Sequence, residues 1–123
     1  MGSLNRVTLI GNVGHAPQIK QLESGSKLAK FSFAVTETYK DKSGNKVSET
    51  EWINIIAWRN LAELVEKYVG KGSQLFIEGK MQTRKYTGTD QTEKTITEII
   101  CNKIVLLQSK KVEEPETSTE QDQ

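Results

Sequence analysis

The sequence predicts an all-β fold: a five-stranded barrel with one helix between its third and fourth strands, followed by a disordered acidic tail. Three observations lead there. Short runs rich in β-branched and aromatic residues are separated by Gly, Asn and Asp turns. One segment, residues 60–68, carries its apolar residues at helical spacing instead. The last dozen residues, 112–123, hold one aliphatic residue, no aromatic and no base. Such a stretch cannot bury enough apolar surface to offset the entropy of ordering.

The elements follow in order. Val7-Thr8-Leu9-Ile10 reads as the first strand, with Gly11 and Gly14 marking its end. Residues 28–38 form the second, with Phe31, Phe33 and Val35 on one face and Ser32, Ala34 and Thr36 on the other. The polar run Lys40 to Lys46, with Ser43-Gly44-Asn45 at its middle, is a hairpin tip. Residues 50–58 make the third strand. Leu61, Leu64, Val65 and Tyr68 then mark a helix, with Asn60 as N-cap, Glu63 as its capping-box partner, and Gly70 and Gly72 as the stop. Residues 74–86 and 95–107 are the last two strands, joined by Thr87-Gly88-Thr89-Asp90. Phe31, Phe33, Phe76 and Tyr68 are assigned to the core. Five strands with a helix between the third and fourth is the order of the OB-fold, which commonly binds single-stranded nucleic acid or sugars across its strand 2–3 face. Residues 1–111 form one domain and residues 112–123 the tail.

The chain of 123 residues has one cysteine, Cys101, and one histidine, His15. An internal disulfide and a Cys/His zinc cluster are both excluded, and no cofactor is expected. This usage fits a reducing compartment. With no apolar stretch long enough for a signal peptide or a membrane span, the reading is a soluble cytoplasmic protein. The net charge of +1 conceals an asymmetry. Residues 1–111 hold 17 bases against 11 acids, a surplus of six, while residues 112–123 hold five acids and no base. A basic body suggests a polyanionic ligand.

The strand 50–58 shows an unusual phase. Ile53, Ile55 and Ala57 share one face and suit a barrel interior, while Trp52, Asn54, Ile56 and Trp58 share the other. Two indole rings turned away from the core need a ligand or a cover. Bases supply π-faces of any sequence, and stacking contributes about 1–3 kcal/mol per base. Tyr39 opens the run Tyr39-Lys40-Asp41-Lys42, Tyr86 closes Arg84-Lys85-Tyr86, and Arg59 follows Trp58. Rings interleaved with cations make a single-strand binding surface. The candidate site is therefore Tyr39, Trp52, Trp58 and Tyr86 with Arg59, Arg84, Lys85, Lys40 and Lys42. Lys20, Lys27, Lys30, Lys46, Lys71, Lys80 and Lys94 are further candidates that the sequence does not orient.

No catalytic constellation emerges, and the chain reads as a non-enzyme. His15 lies in the turn Gly14-His15-Ala16-Pro17, Cys101 lies in an apolar strand, and no phosphate-cradling glycine loop is present. The residues alone leave two alternatives open. One is a structural or regulatory module that binds a protein. The other is RNA or sugar binding on the same fold.

Five stretches in order carry a resemblance: Leu4 to Gly14, Thr50-Glu51-Trp52, Trp58 to Glu63, Lys71 to Lys80, and Thr83 to Tyr86. On them the chain closely resembles the bacterial-type single-stranded DNA-binding proteins. The resemblance implies a homotetramer of OB-folds that binds single-stranded DNA in replication, recombination and repair, in the bacterial cytoplasm and nucleoid. It places the stacking aromatics on Tyr39, Trp52, Trp58 and Tyr86. Members often carry Trp at the positions of Tyr39 and Tyr86, and some carry bases where this chain has Asn54, Asn60 and Gln82. Ile53 replaces a histidine that some members use at a subunit contact. Members typically end in an acidic stretch with an apolar Pro-Phe-like tip that recruits replication and repair proteins. Here the residues are Glu120-Gln121-Asp122-Gln123, so the acidic charge is present without the tip.

Overall fold

A computed structural model describes residues 2–111; the acidic tail and any partner recruitment through it fall outside the described residues. The order is β1 (Val7–Val13), β2 (Gln18–Gln21), β3 (Lys27–Lys40), β4 (Lys46–Trp58), α1 (Asn60–Tyr68), β5 (Gln74–Thr87) and β6 (Glu93–Gln108). The strands pair as β1-β5-β6-β4-β3-β2, and an additional β1–β3 pairing closes the barrel. The expected five-stranded barrel is β1, β3, β4, β5 and β6, with α1 between the third and fourth of these. The short β2 was not foreseen. It pairs antiparallel with Lys27–Lys30, and its one aliphatic residue, Ile19, offers no alternation to read.

Closure explains why β1 runs past Gly11 instead of ending there. Val7 to Asn12 pair with Gly79 to Gln74 on β5, while Asn12 and Val13 pair with Ala34 and Phe33 on β3. A β-carbon at Gly11 would overlap the Ala34 carbonyl oxygen. Only glycine lets the two backbones approach that closely.

Alternation fills the interior. Phe31 opposes Ile55, and Phe33 opposes Ile53. Phe33, Ile55, Val65, Leu75 and Ile77 are fully buried, each contributing about 1.5–3 kcal/mol relative to an exposed side chain. The helix adds Ala62 and Val65 to the same cluster.

Three local expectations are corrected. Asn60 is the first helical residue and not the cap. Arg59 occupies the cap position, and no side-chain hydrogen bond completes it. The helix stops because Val69 turns extended, its N–H donating to the Val65 carbonyl, before Gly70 is reached. Tyr68 and Phe76 leave the core: Tyr68 is exposed, and Phe76 is half-buried on the outer face opposite Ile10 and Val105. In β5 the inward residues are Leu75 and Ile77, which puts Phe76 out of phase with them.

Beyond the core, β3–β4 and β5–β6 continue as two largely exposed hairpin arms. They carry most of the candidate site.

Candidate nucleic-acid interface

Register sorts the site residues onto faces. Leu28, Lys30, Ser32 and Ala34 on β3 oppose Trp58, Ile56, Asn54 and Trp52 on β4. Asn54 and Ile56 in turn oppose Glu98 and Ile100 on β6, which oppose Gln82 and Lys80 on β5. One continuous outer face therefore holds Trp52, Trp58, Arg84 and Tyr86. Two adjoining hollows of about 320 and 380 Å3 lie in it. The first is bordered by His15, Lys30, Asn54, Arg84 and Glu98. The second is bordered by Trp58, Lys80, Gln82, Arg84 and Ile100.

The four aromatics are all open to solvent: Trp52 is 60%, Tyr39 48%, Tyr86 41% and Trp58 37% exposed. They do not all share the face. Tyr39 opposes Val47 and alternates in phase with Phe31 and Phe33, so it points from the other side of its arm. Its hydroxyl donates to Glu49 Oε2 at 3.3 Å. Lys85 likewise alternates with Arg84 and leaves the face. Lys40 stands opposite Lys46 where the β3–β4 arm ends, and Lys42 sits in the tip, where Asp41 Oδ1 accepts from the N–H groups of Ser43 and Asn45.

Trp52 has a seat that the sequence did not reveal. A β-carbon at Gly14 would overlap its ring and lie 2.8 Å from Ser32 Oγ. Gly14, read above as turn punctuation, is the gap into which the indole edge fits.

Arg59 is held at φ 55°, ψ −116°, a backbone conformation that glycine adopts readily and other residues rarely. Its N–H donates to the Lys27 carbonyl at 2.8 Å, and its own carbonyl accepts the Glu63 N–H at 3.0 Å. These bonds fix the exit from β4 into α1 and offset a strain of about 1–3 kcal/mol.

Glu98 is the least expected member. It lies among Ile96, Ile99 and Ile100, and its side chain is only 5% exposed. Arg84 donates to both its oxygens, Nε to Oε1 at 3.0 Å and Nη2 to Oε2 at 3.2 Å. The carboxylate raises the already high guanidinium pKa further. The same guanidinium carbon lies 6.0 Å from the Tyr86 ring centroid, within cation–π range. The signal for Glu98 was a single acid in an apolar run.

Of the unoriented lysines, Lys30 and Lys80 line the hollows. Lys27 is paired with Glu66 at 2.6 Å, and Lys94 approaches Asp90 at 3.9 Å. His15 is within hydrogen-bond distance of Ser32 Oγ, at 3.2 Å. Cys101 is buried on the inner side of β6, where its thiol donates to the Ile56 carbonyl at 3.3 Å and burial pushes its pKa up to about 11. Among the described residues no helix is long and apolar enough to cross a membrane.

Together the closed barrel and the intervening helix define an OB-fold, a fold that commonly binds single-stranded nucleic acid or sugars across its strands. The chain belongs to the single-strand binding protein family, whose model matches residues 4–107. It is 41% identical over 105 residues to the single-stranded DNA-binding protein of Neisseria meningitidis serogroup A, covering 85% of this chain and 60% of that one. It is 44% identical over 110 residues to the protein of the same name from Bacteroides thetaiotaomicron, covering 88% and 68%. Among solved structures it is similar to a Plasmodium falciparum SSB in complex with single-stranded DNA, with a TM-score of 0.79 and 36% identity, covering 87% of this chain and 97% of that one.

Proposed function

We propose that this protein binds and protects single-stranded DNA without sequence preference, by stacking bases on exposed aromatics and contacting phosphates with Lys and Arg. One observation carries the reading. Trp52, Trp58 and Tyr86 stand exposed on one face whose hollows are bordered by Lys30 and Lys80. Rings that cost free energy to expose, set among cations, match the chemistry of a flexible polyanion with unstacked bases. Tyr39 offers a second contact on the far side of the β3–β4 arm, with Lys40 and Lys42 at the end and tip of that arm, so the bound DNA bends around it. Arg59 and Lys85 supply further phosphate contacts, and Arg84 belongs to the groove wall. The relatives named for single-stranded DNA support the ligand class.

The protein acts by binding and not by catalysis, in replication, recombination and repair in the bacterial cytoplasm. Residues 1–111 are the DNA-binding unit and residues 112–123 a separate acidic tail. The working form is a homotetramer. Ile10, Phe76, Val105 and Leu107 present apolar surface on the outer face away from the groove, and the edge of β1 before Asn12 pairs on one side only. A second copy would cover both. Light scattering should give four times the chain mass of 13.8 kDa.

Titration with a 35-nucleotide oligo-dT tests the central claim. Binding should quench tryptophan fluorescence, and affinity should fall as salt rises. The double substitution Trp52→Ala, Trp58→Ala should weaken binding on the order of 100-fold, taking one to two stacked bases at 1–3 kcal/mol each. Unchanged affinity in that variant would overturn the site.

A further inference from the structure

We infer that Arg84 is a positioning residue, held by Glu98 as a neutral strut within the groove, and that it makes no phosphate contact of its own. The inference rests on the single-stranded DNA reading above and refines which cations act in it. By sequence Arg84 looks like a phosphate ligand, since it begins the run Arg84-Lys85-Tyr86. The structure gives its charge to a partner. Both Glu98 oxygens accept from Arg84, at 3.0 and 3.2 Å, and the carboxylate is buried where β6 lies between β4 and β5. Among the described residues the other acid–cation pair near this face, Asp90 with Lys94 opposite Tyr86, is longer, at 3.9 Å, and its carboxylate is exposed, so Glu98 is the paired acid that burial binds to its cation.

A buried carboxylate on a surface offered to a polyanion is unfavourable unless a cation stays with it. If Arg84 swung out to a phosphate, Glu98 would be left unpaired and buried beneath the same phosphate. The pair therefore stays closed when DNA arrives. The guanidinium carbon instead lies over the Tyr86 ring, 6.0 Å from its centroid, and limits how that ring can turn. Arg84 and Glu98 border both hollows, so the strut also fixes their common wall. Phosphate contacts on this face are left to Lys30 and Lys80.

Salt dependence separates a phosphate ligand from a strut. Each phosphate neutralised on a single strand contributes about 0.7 to the slope of log affinity against log salt. Oligo-dT affinity would be measured from low to moderate salt for the full chain and two variants, each confirmed as folded by its thermal melt. Arg84→Gln should bind several-fold more weakly with the slope of the unmodified chain. Glu98→Gln, near-isosteric and still able to accept a hydrogen bond, should release the Arg84 charge, tighten binding at low salt and steepen the slope by about 0.7. A slope reduced by about 0.7 in Arg84→Gln would overturn the inference, as would an unchanged slope in Glu98→Gln. Either Gln variant alone decides the question if the other fails to fold. Absence of binding by the unmodified chain would overturn the underlying DNA reading instead.

Discussion

The β3–β4 arm runs in unbroken register from Leu28 opposite Trp58 to Lys40 opposite Lys46, whereas β5–β6 slips at Gln74/Leu75 and again at Glu78/Gly79. The regular arm is joined by hydroxyl pairs, Thr36 with Thr50 at 2.9 Å and Thr38 with Ser48 at 3.2 Å. The β5–β6 arm, regular beyond those slips from Lys80 opposite Ile100 to Thr87 opposite Glu93, has one such pair, Thr83 with Thr97 at 3.1 Å, and beside it the buried Glu98 carboxylate tied to Arg84. The slips add local twist at the base of this hairpin, and a buried charge pair holds the arm beyond them more tightly than exposed hydroxyls do. The same hairpin plan thus yields one compliant arm and one braced arm. In the binding mode proposed above, a single strand uses both, the braced arm as a fixed platform and the compliant arm to adapt.

Breaking the brace should have the largest effect. Arg84→Met leaves the Glu98 carboxylate buried and unpaired and should lower stability by about 2–3 kcal/mol in urea unfolding, the low end for a broken pair because Arg84 is half exposed. Thr36→Val in the other arm should cost about 0.5 kcal/mol or less, since its hydroxyls lie in water. Equal costs would erase the distinction.

Next is the base of the compliant arm. Gly14→Ala should push the Trp52 ring off its seat and cost about 1–3 kcal/mol by overpacking. It should also shift the tryptophan emission and weaken oligo-dT binding, while leaving a Trp52→Ala variant little affected. Arg59→Gly removes the strain where β4 meets α1. It should raise stability by about 1 kcal/mol, a rise in Tm of several degrees, while lowering DNA affinity. A loss of stability would show that the Arg59 side chain supports the fold itself.

Cys101 offers the mildest probe, since it needs no substitution. Its folded pKa of about 11 lies above the ordinary thiol value. From about pH 9 to 11 the unfolded chain releases this proton and the folded one retains it, so this group's contribution makes stability fall as pH rises through that window. At pH 8 alkylation should be slow in the native protein and fast in urea. Faster labelling in Arg84→Met would show that losing the brace loosens β6 from β4.

The parts of this protein that repeat a pattern could be read from the sequence. Alternation in 28–38 and 50–58 located β3 and β4 and turned Trp52 and Trp58 outward, as found. The helix came from spacing alone. What escaped depends on contacts distant in sequence. Gly14 meets Trp52 only after β3 and β4 have paired, and Arg84 meets Glu98 across a hairpin. Spacing assigned Tyr68 and Phe76 to the core wrongly: Phe76 alternates with the buried Leu75 and Ile77, and Tyr68 lies at the rim of the helix's apolar stripe, beyond the buried Ala62 and Val65. Tyr39 was named with the others because chemistry, not register, selected it. Register puts it on the opposite side.

The closure at Gly11 also has a consequence in time. β1 needs residues 74–79 for one edge and residues 33–34 for part of the other. During synthesis at about 5–20 residues per second, the first strand waits on the order of 3–13 s before its β5 partner exists. Until then Val7 and Leu9 lack the neighbours that shelter them, and the nascent chain depends on its hairpins to form a framework first. Folding of the intact chain should therefore be limited by this late, long-range stitch, as for other barrels rich in non-local pairs. The strand that begins the chain is the last to find its place.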